Sequence, residues 1–399
     1  MATNTILGNG FQQANLANSV KNVIIGYKAA SNLVSNNSDN VIIGQNAAQK
    51  TLSNLQKNVI IGSECLTQAA TNIQGSVVIG YGTGTSLTTG GPNTIVGYQA
   101  GTNITSGNNN IAVGYGAINN QGGVSSLDNA ENIAIGTFAG SILGTGAYGN
   151  ILLGCNAGFN ISTGSQNLTI GDLAMYNANG TRNIGFGQGA LFNVSGIDNV
   201  AIGTQTGNGI TSGNRNICVG SNALANGFGI TGSDNLALGT SALAGLTSGS
   251  NNIGIGPHAG TDMRLGNSNV CLGVAAGNIG NGSNNIFIGN SAGGATADDS
   301  SNQLIIRQNS VTLIDGNFAT NSITSGGVTH TGGSITQTSY SDIGELVIDP
   351  AAPSSGFGRF YSKNDGSLRY TNHAGTSYNL TTPTIPTTVE VLTANGAIS

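Results

Sequence analysis

The chain has 399 residues, a formal net charge of −5, 7% charged residues, 65 glycines and no tryptophan. Before position 300 its basic residues are Lys21, Lys28, Lys50, Lys57, Arg182, Arg215 and Arg264, too sparse to follow a phosphate backbone, which argues against nucleic-acid binding. Apolar runs are too short for a membrane-spanning helix, and abundant β-branched residues separate the chain from disordered sequences.

The first twenty residues contain no basic segment followed by an apolar run, so the expectation is a chain not exported by the usual secretory route. Asparagine, three mostly apolar residues and glycine then recur, with the glycines at Gly8, Gly26, Gly44, Gly62, Gly80, Gly97, Gly114, Gly136, Gly154, Gly171, Gly187, Gly203, Gly220, Gly239, Gly256, Gly273 and Gly289. Ser76 replaces the Asn once, and the spacing is 16 to 19 residues except for one 22-residue step before Gly136. A period that regular means one small unit stacked on copies of itself. Residues 1–300 therefore read as solenoid repeats.

In residues 104–118, Ile111, Ala112 and Val113 read as a short strand ended by Gly114. Gly107, three residues before Asn110, reads as the positive-φ glycine of a tight turn; the spacing recurs at Gly90, Gly164, Gly180, Gly196, Gly213, Gly232, Gly249, Gly266 and Gly282. Alanine stands three residues past the repeat glycine in 13 of 17 coils, where a small side chain suits a tight interior. An apolar residue before the Gly-x-x-Asn corner (Leu87, Ile104, Ile161, Ile210, Ile230, Leu246) marks a second short strand. Two strands and two turns per coil predict an all-β chain, a parallel β-solenoid with a flattened cross-section. Stacked at about 4.8 Å per coil, the Asn column would form an amide ladder.

Side chains alternate across a strand. With the first and third residues of each triplet taken as inward, the middle ones face outward: Ile6, Ile24, Ile42, Ile60, Val78, Ile95, Leu152 and Phe287 among them. An apolar stripe of that kind marks an interface, and strands apolar on both faces are buried on both faces. These residues are therefore expected to form contacts with further copies of the chain. Four cysteines, Cys65, Cys155, Cys218 and Cys271, read as small buried thiols. Cys218 and Cys271 lie three coils apart, roughly 14 Å, beyond disulfide reach, as expected of a protein made in reducing cytoplasm.

Residues 301–345 begin with NQLIIRQNSVTLIDGNF, read as capping strands with a turn at Asp315 and Gly316, and continue as a Gly/Thr-rich β stalk. Residues 346–382 read as a small hairpin module: 359–363 and 367–371 flank Asn364, Asp365 and Gly366, a strong hairpin turn signal. Residues 383–399 read as an extended tail, since Pro383 and Pro386 disfavour a helix.

The phrases NIAIGTFAG (132–140), NNIGIGPHAG (251–260) and NNIFIGNSAG (284–293) resemble the head repeats of YadA-like trimeric adhesins, over roughly residues 1–293. The resemblance implies a left-handed β-roll assembled as a homotrimer. Those adhesins carry a signal peptide, a coiled-coil stalk and a membrane β-barrel, and none of the three is legible here. There is no heptad pattern, and the carboxyl end is short and rich in Gly, Thr and Pro. Residues 356–382 resemble small β modules of tail fibres and other viral appendage proteins.

No catalytic constellation converges in the sequence. His258, His330 and His373 lie far apart with no metal-ligand spacing, and Asp198 and Asp234, two coils apart, read as solvated corners rather than a carboxylate pair. No Gly-Lys-Ser/Thr follows a glycine corner, and no Ca²⁺-binding nonapeptide is present. The expectation is therefore no catalytic residue, no metal and no cofactor: not an enzyme. The expected role is a structural virion fibre or appendage, such as a phage tail fibre or virus surface spike. It would be a rigid homotrimeric rod joined to baseplate, tail or capsid proteins, touching a host surface glycan or protein, without membrane insertion. Its place would be the virion. The alternatives are a bacterial cell-surface trimeric adhesin and an ice-binding solenoid, the latter weakened by the irregular recurrence of Thr105, Thr211 and Thr247. Candidate receptor contacts are Tyr361, Tyr370 and Tyr378, which equally suit a hairpin's own core, and the insertion at 115–131.

Overall fold

The computed structural model describes residues 3–10, 18–50, 52–68, 70–102, 104–119, 131–226, 229–278, 280–293 and 299–319. Five later strands, at 322–324, 345–346, 359–363, 368–371 and 377–379, are described by their backbone. The chain divides into two compact units, Met1–Val328 and Thr329–Ser399.

The first unit is a parallel β-solenoid, and no helix occurs among the described residues. Every triplet forms a three-residue strand, from Thr5–Leu7 to Ile286–Ile288. Each pairs in register with the next coil, as Ile24 does with Ile42 and Ile42 with Ile60. The 22-residue step keeps this register, with Ala112 opposite Ala134. On the other side of the coil the expected second strand is fragmentary: Leu33–Ser35, Leu52–Ser53 and Ala70–Thr71 form one short ladder, Ile142–Leu143 and Asn160–Ile161 another. The apolar residues there, Leu87, Ile104, Ile161, Ile210, Ile230 and Leu246, are fully buried all the same.

The repeat asparagines line the interior. Asn167 donates from its backbone N–H (3.0 Å) and its Nδ2 (3.1 Å) to Oδ1 of Asn150, and Nδ2 also donates to the carbonyl of Gly180 at 2.9 Å. Its own Oδ1 accepts the backbone N–H of Asn183 at 2.9 Å. Ser76 fills its gap in the column: its N–H donates to Asn58 and its Oγ accepts from the N–H of Asn93. These buried amides are tolerated because they are paired.

Among the Gly-x-x-Asn glycines Gly90 has the expected positive φ, at +105°, but Gly164, Gly180, Gly196 and Gly213 do not, contrary to the turn expectation. Their role is close approach. A Cβ on Gly180 would run into the carbonyl of Gly196 in the next coil, and each such carbonyl accepts an Asn amide. The repeat glycines do have positive φ: Gly44, at +141°, also faces the next glycine's carbonyl at a distance no Cβ permits.

Gln303–Gln308 continues the parallel sheet and Val311–Asn317 pairs antiparallel with it, followed by Ser322–Thr324. The expected turn at Asp315 and Gly316 is overturned. Both residues lie within a strand, opposite Ile305 and Leu304, and the chain reverses at Asn309 and Ser310, with Asn309 in the left-handed region at φ 52°. Asparagine tolerates that region well.

In the second unit, Arg359–Lys363 pairs antiparallel with Leu368–Thr371, as the hairpin signal predicts. Ser377–Asn379 and Glu345–Leu346 complete a four-stranded sheet. The Asn364 to Gly366 turn, residues 325–344 of the expected stalk and the 383–399 tail lie outside the described residues.

Candidate functional site

The structure inverts the expected orientation of the triplets. Ile24, Ile42, Ile60, Val78, Ile95, Leu152 and Phe287 are 0–1% exposed within a single chain, and Ile6, in the end coil, packs against the same core. They are core residues of one protomer and no longer candidates for its interface. The physical reason is the Asn column. Each Asn side chain is buried inside the coil, and the residue two positions later shares its face.

A second signal points the same way. The residue six positions after each middle residue fills the same interior space, and the two sizes compensate within most coils. Glycine follows the larger residues at Val78/Gly84, Ile95/Gly101, Leu152/Gly158 and Phe287/Gly293; a larger residue follows the smaller ones at Ala112/Ile118, Thr169/Met175, Gly185/Leu191, Cys218/Leu224 and Ala237/Leu243. A Cβ on Gly158 would lie 2.6 Å from Cδ2 of Leu152. Above Gly185 the space is taken by Met175 of the preceding coil, whose Cε would lie 3.1 Å from a Cβ there, and Leu191 in turn reaches the next coil, with Cδ2 2.9 Å from where a Cβ on Gly207 would stand. Interiors fill to a fixed density, so one residue's size sets its neighbour's.

The outward residues are therefore the first and third of each triplet. Of these 34 positions (17 × 2), only Thr5 and Thr94 are polar. Ile135, Ile184, Phe186, Ile202, Ile217 and Leu272 are among the exposed ones, Phe186 at 51%. The result is two adjacent apolar columns running the length of the parallel sheet. At about 4.8 Å per step they extend roughly 77 Å and cover on the order of 800 Å², the area each partner contributes to a standard protein interface.

The corners carry different chemistry. One position after the repeat glycine, Tyr81, Tyr98 and Tyr115 stand in successive coils, 47%, 50% and 43% exposed. Their rings follow one another at 5.5 and 5.5 Å, and Phe138 continues the row 4.8 Å from Tyr115. The first pair is stacked and the next two are tilted by 48° and 58°. The Tyr81 hydroxyl donates to Oε2 of Glu64 at 3.3 Å, and Glu64 raises the phenol's pKa. On another corner Arg182 grips Asp198 through two hydrogen bonds of 2.7 and 2.8 Å, and Arg215 grips Asp234 likewise. The guanidinium groups hold both carboxylates below their ordinary range, so these acids brace neighbouring coils.

Cys65, Cys218 and Cys271 are buried and their thiols are pushed up to about 12 by burial. Cys155 is exposed, against the expectation of four buried thiols. No group of three or more His, Cys, Asp or Glu gathers among the described residues. Tyr370 pairs in register with Tyr378 and with Phe360, and Tyr361 with Arg369. Residues 120–130 of the insertion lie outside the described residues.

No protein-family model matches the chain, and a comparison with curated proteins finds no match either.

Proposed function

We propose that this chain is a structural fibre of a virion appendage, a rigid homotrimeric rod that carries attachment to the host surface. The observation that carries the reading is the double apolar column outside a coil whose interior is already full. A solitary rod would leave that surface wet, and exposed apolar patches of this size mark interaction sites. Copies of the same chain are the simplest cover, because an identical column on each copy repeats at an identical spacing. The number three and a left-handed roll follow from the likeness to YadA-like head repeats. The appendage role follows from the likeness of the carboxyl-terminal hairpin module to viral fibre modules, with other virion proteins as the attachment partners.

Antibodies raised against the solenoid test the role. They should decorate projections on intact virus particles and block attachment to host cells. Decoration of a bacterial envelope in place of a particle would favour the cell-surface adhesin and contradict the virion reading.

A further inference from the structure

The exposed Tyr81, Tyr98 and Tyr115, continued by the half-buried Phe138, form a row that is not explained by folding alone. The tyrosines' corner position is held by Gln45, Ser63 and Gln188 in other coils, and by Thr137 in the coil that adds Phe138 one position further on, so the coil closes without an aromatic there. A second stack, Phe159, Tyr176 and Phe192, shows what an aromatic stack serving the fold looks like: half-buried, mostly Phe, with all rings within 4° of parallel. In the first row the three tyrosines are exposed and the two steps beyond Tyr98 are tilted, so their rings leave face area and hydroxyls in solvent. On the side of Tyr81 away from Tyr98, the column narrows to Ser63, with the Glu64 carboxylate at its edge. Gly82 leaves the flank of Tyr81 without a side chain, and Gln99 adds an amide beside Tyr98.

The surroundings decide what chemistry fits. From Cys65 through Leu127 the chain contains no Asp, Glu, Lys, Arg or His. An anionic ligand finds no cation to pair with along these coils, and the nearest charge, the Glu64 carboxylate, repels it, whereas a neutral ligand with hydroxyl groups can donate to that carboxylate. Amphipathic tyrosines join an apolar ring face to a hydrogen-bonding tip. A pyranose has the matching pair, a face of C–H groups and a rim of hydroxyls.

We infer that the row Tyr81–Tyr98–Tyr115–Phe138 binds a neutral glycan. One sugar ring packs on the open face of Tyr81 above Ser63 and donates a hydroxyl to Glu64, and further units run along the row toward Phe138. The inference rests on the appendage reading only in making this a host-surface glycan; the site itself stands on the geometry of the row.

The test uses the full chain and neutral hexasaccharides of glucose, mannose, galactose and N-acetylglucosamine, followed by saturation-transfer NMR and by tyrosine emission, which no tryptophan obscures. At least one saccharide should bind. Tyr81→Gln and Tyr98→Gln, each built on a residue that other coils use at this position, should weaken binding at least tenfold with unchanged melting and unchanged oligomeric state. Tyr81→Phe should keep the stacking and lose part of the affinity. The inference is overturned if none of the four binds, if only sulfated or sialylated control saccharides bind, or if the Gln variants bind as well as the parent chain. It is equally overturned if those variants change the oligomeric state, which would make the row an assembly contact. Such failures leave the appendage reading intact, since particle decoration reports on that separately.

Discussion

A Cβ on Gly293 would stand 2.5 Å from Cδ1 of Phe287. Phe287 occupies the middle of the last triplet and is 1% exposed, so it fills its coil alone and the residue six positions later must be glycine. The pair states the packing rule of the solenoid: within most coils the middle residue and its partner six positions on share one volume.

That rule predicts coupling at Leu152 and Gly158. Gly158→Ala places a methyl against Leu152 Cδ2 at a backbone φ of +56°, and overpacking with left-handed strain should cost about 1–3 kcal/mol. In a Leu152→Ala background the same substitution finds room, and its penalty should shrink. A double-mutant cycle by urea unfolding measures the coupling, expected at about 0.5–3 kcal/mol. A coupling of zero would contradict the shared volume.

The amide ladder is equally testable. Asn167→Ala strips the acceptor from the backbone N–H of Asn183 and the donors from Asn150 and Gly180. Leaving buried polar groups unpaired should destabilise the chain by about 1–3 kcal/mol each. Asn167→Ser should cost less, because Ser76 performs the same service in its own coil. Thermal unfolding of the two variants should rank them in that order.

The thiols give a pH prediction. Burial raises Cys65, Cys218 and Cys271 to about 12, whereas an unfolded thiol ionises near 8.5. Their contribution to stability is complete below about pH 8.5 and is lost progressively as pH climbs toward the folded values, because the unfolded chain then binds fewer protons. Denaturation midpoints should fall over that window and recover in Cys→Ala variants that pack without strain. In the native protein near neutral pH a thiol reagent should label Cys155 and spare the other three.

Much of this architecture was legible in the sequence, and the reasons are local. Glycine at a 16 to 19 residue period left one solution for stacking, and Asn four residues earlier left one for the ladder. The hairpin at 359–371 announced itself through its turn residues. Orientation was misread because a three-residue strand offers too few residues for alternation to declare its own phase, and both phases here are apolar. The phase is nonetheless encoded: Asn22 and Ile24 lie two positions apart and must share a face, and the size exchange between Leu152 and Gly158 shows which face is enclosed. The turn at Asn309 was missed because Asp315 and Gly316 carry the stronger dipeptide signal, yet both are paired within their strand. The aromatic row was invisible as a set, since Tyr98 and Tyr115 become neighbours only through coil stacking.

The most direct measurement of the central claim is light scattering on the full chain with Ile25, Ile43 and Ile61, the outward third residues of three consecutive triplets, replaced by Asp. The account predicts an oligomeric parent chain and a variant that dissociates while keeping its β circular dichroism. Ile24, Ile42 and Ile60 replaced by Asp should instead unfold those coils, since they are buried within one chain. A parent chain that scatters as a monomer, or an outward triple variant that stays fully assembled, would contradict the claim that sister copies cover the ribbon.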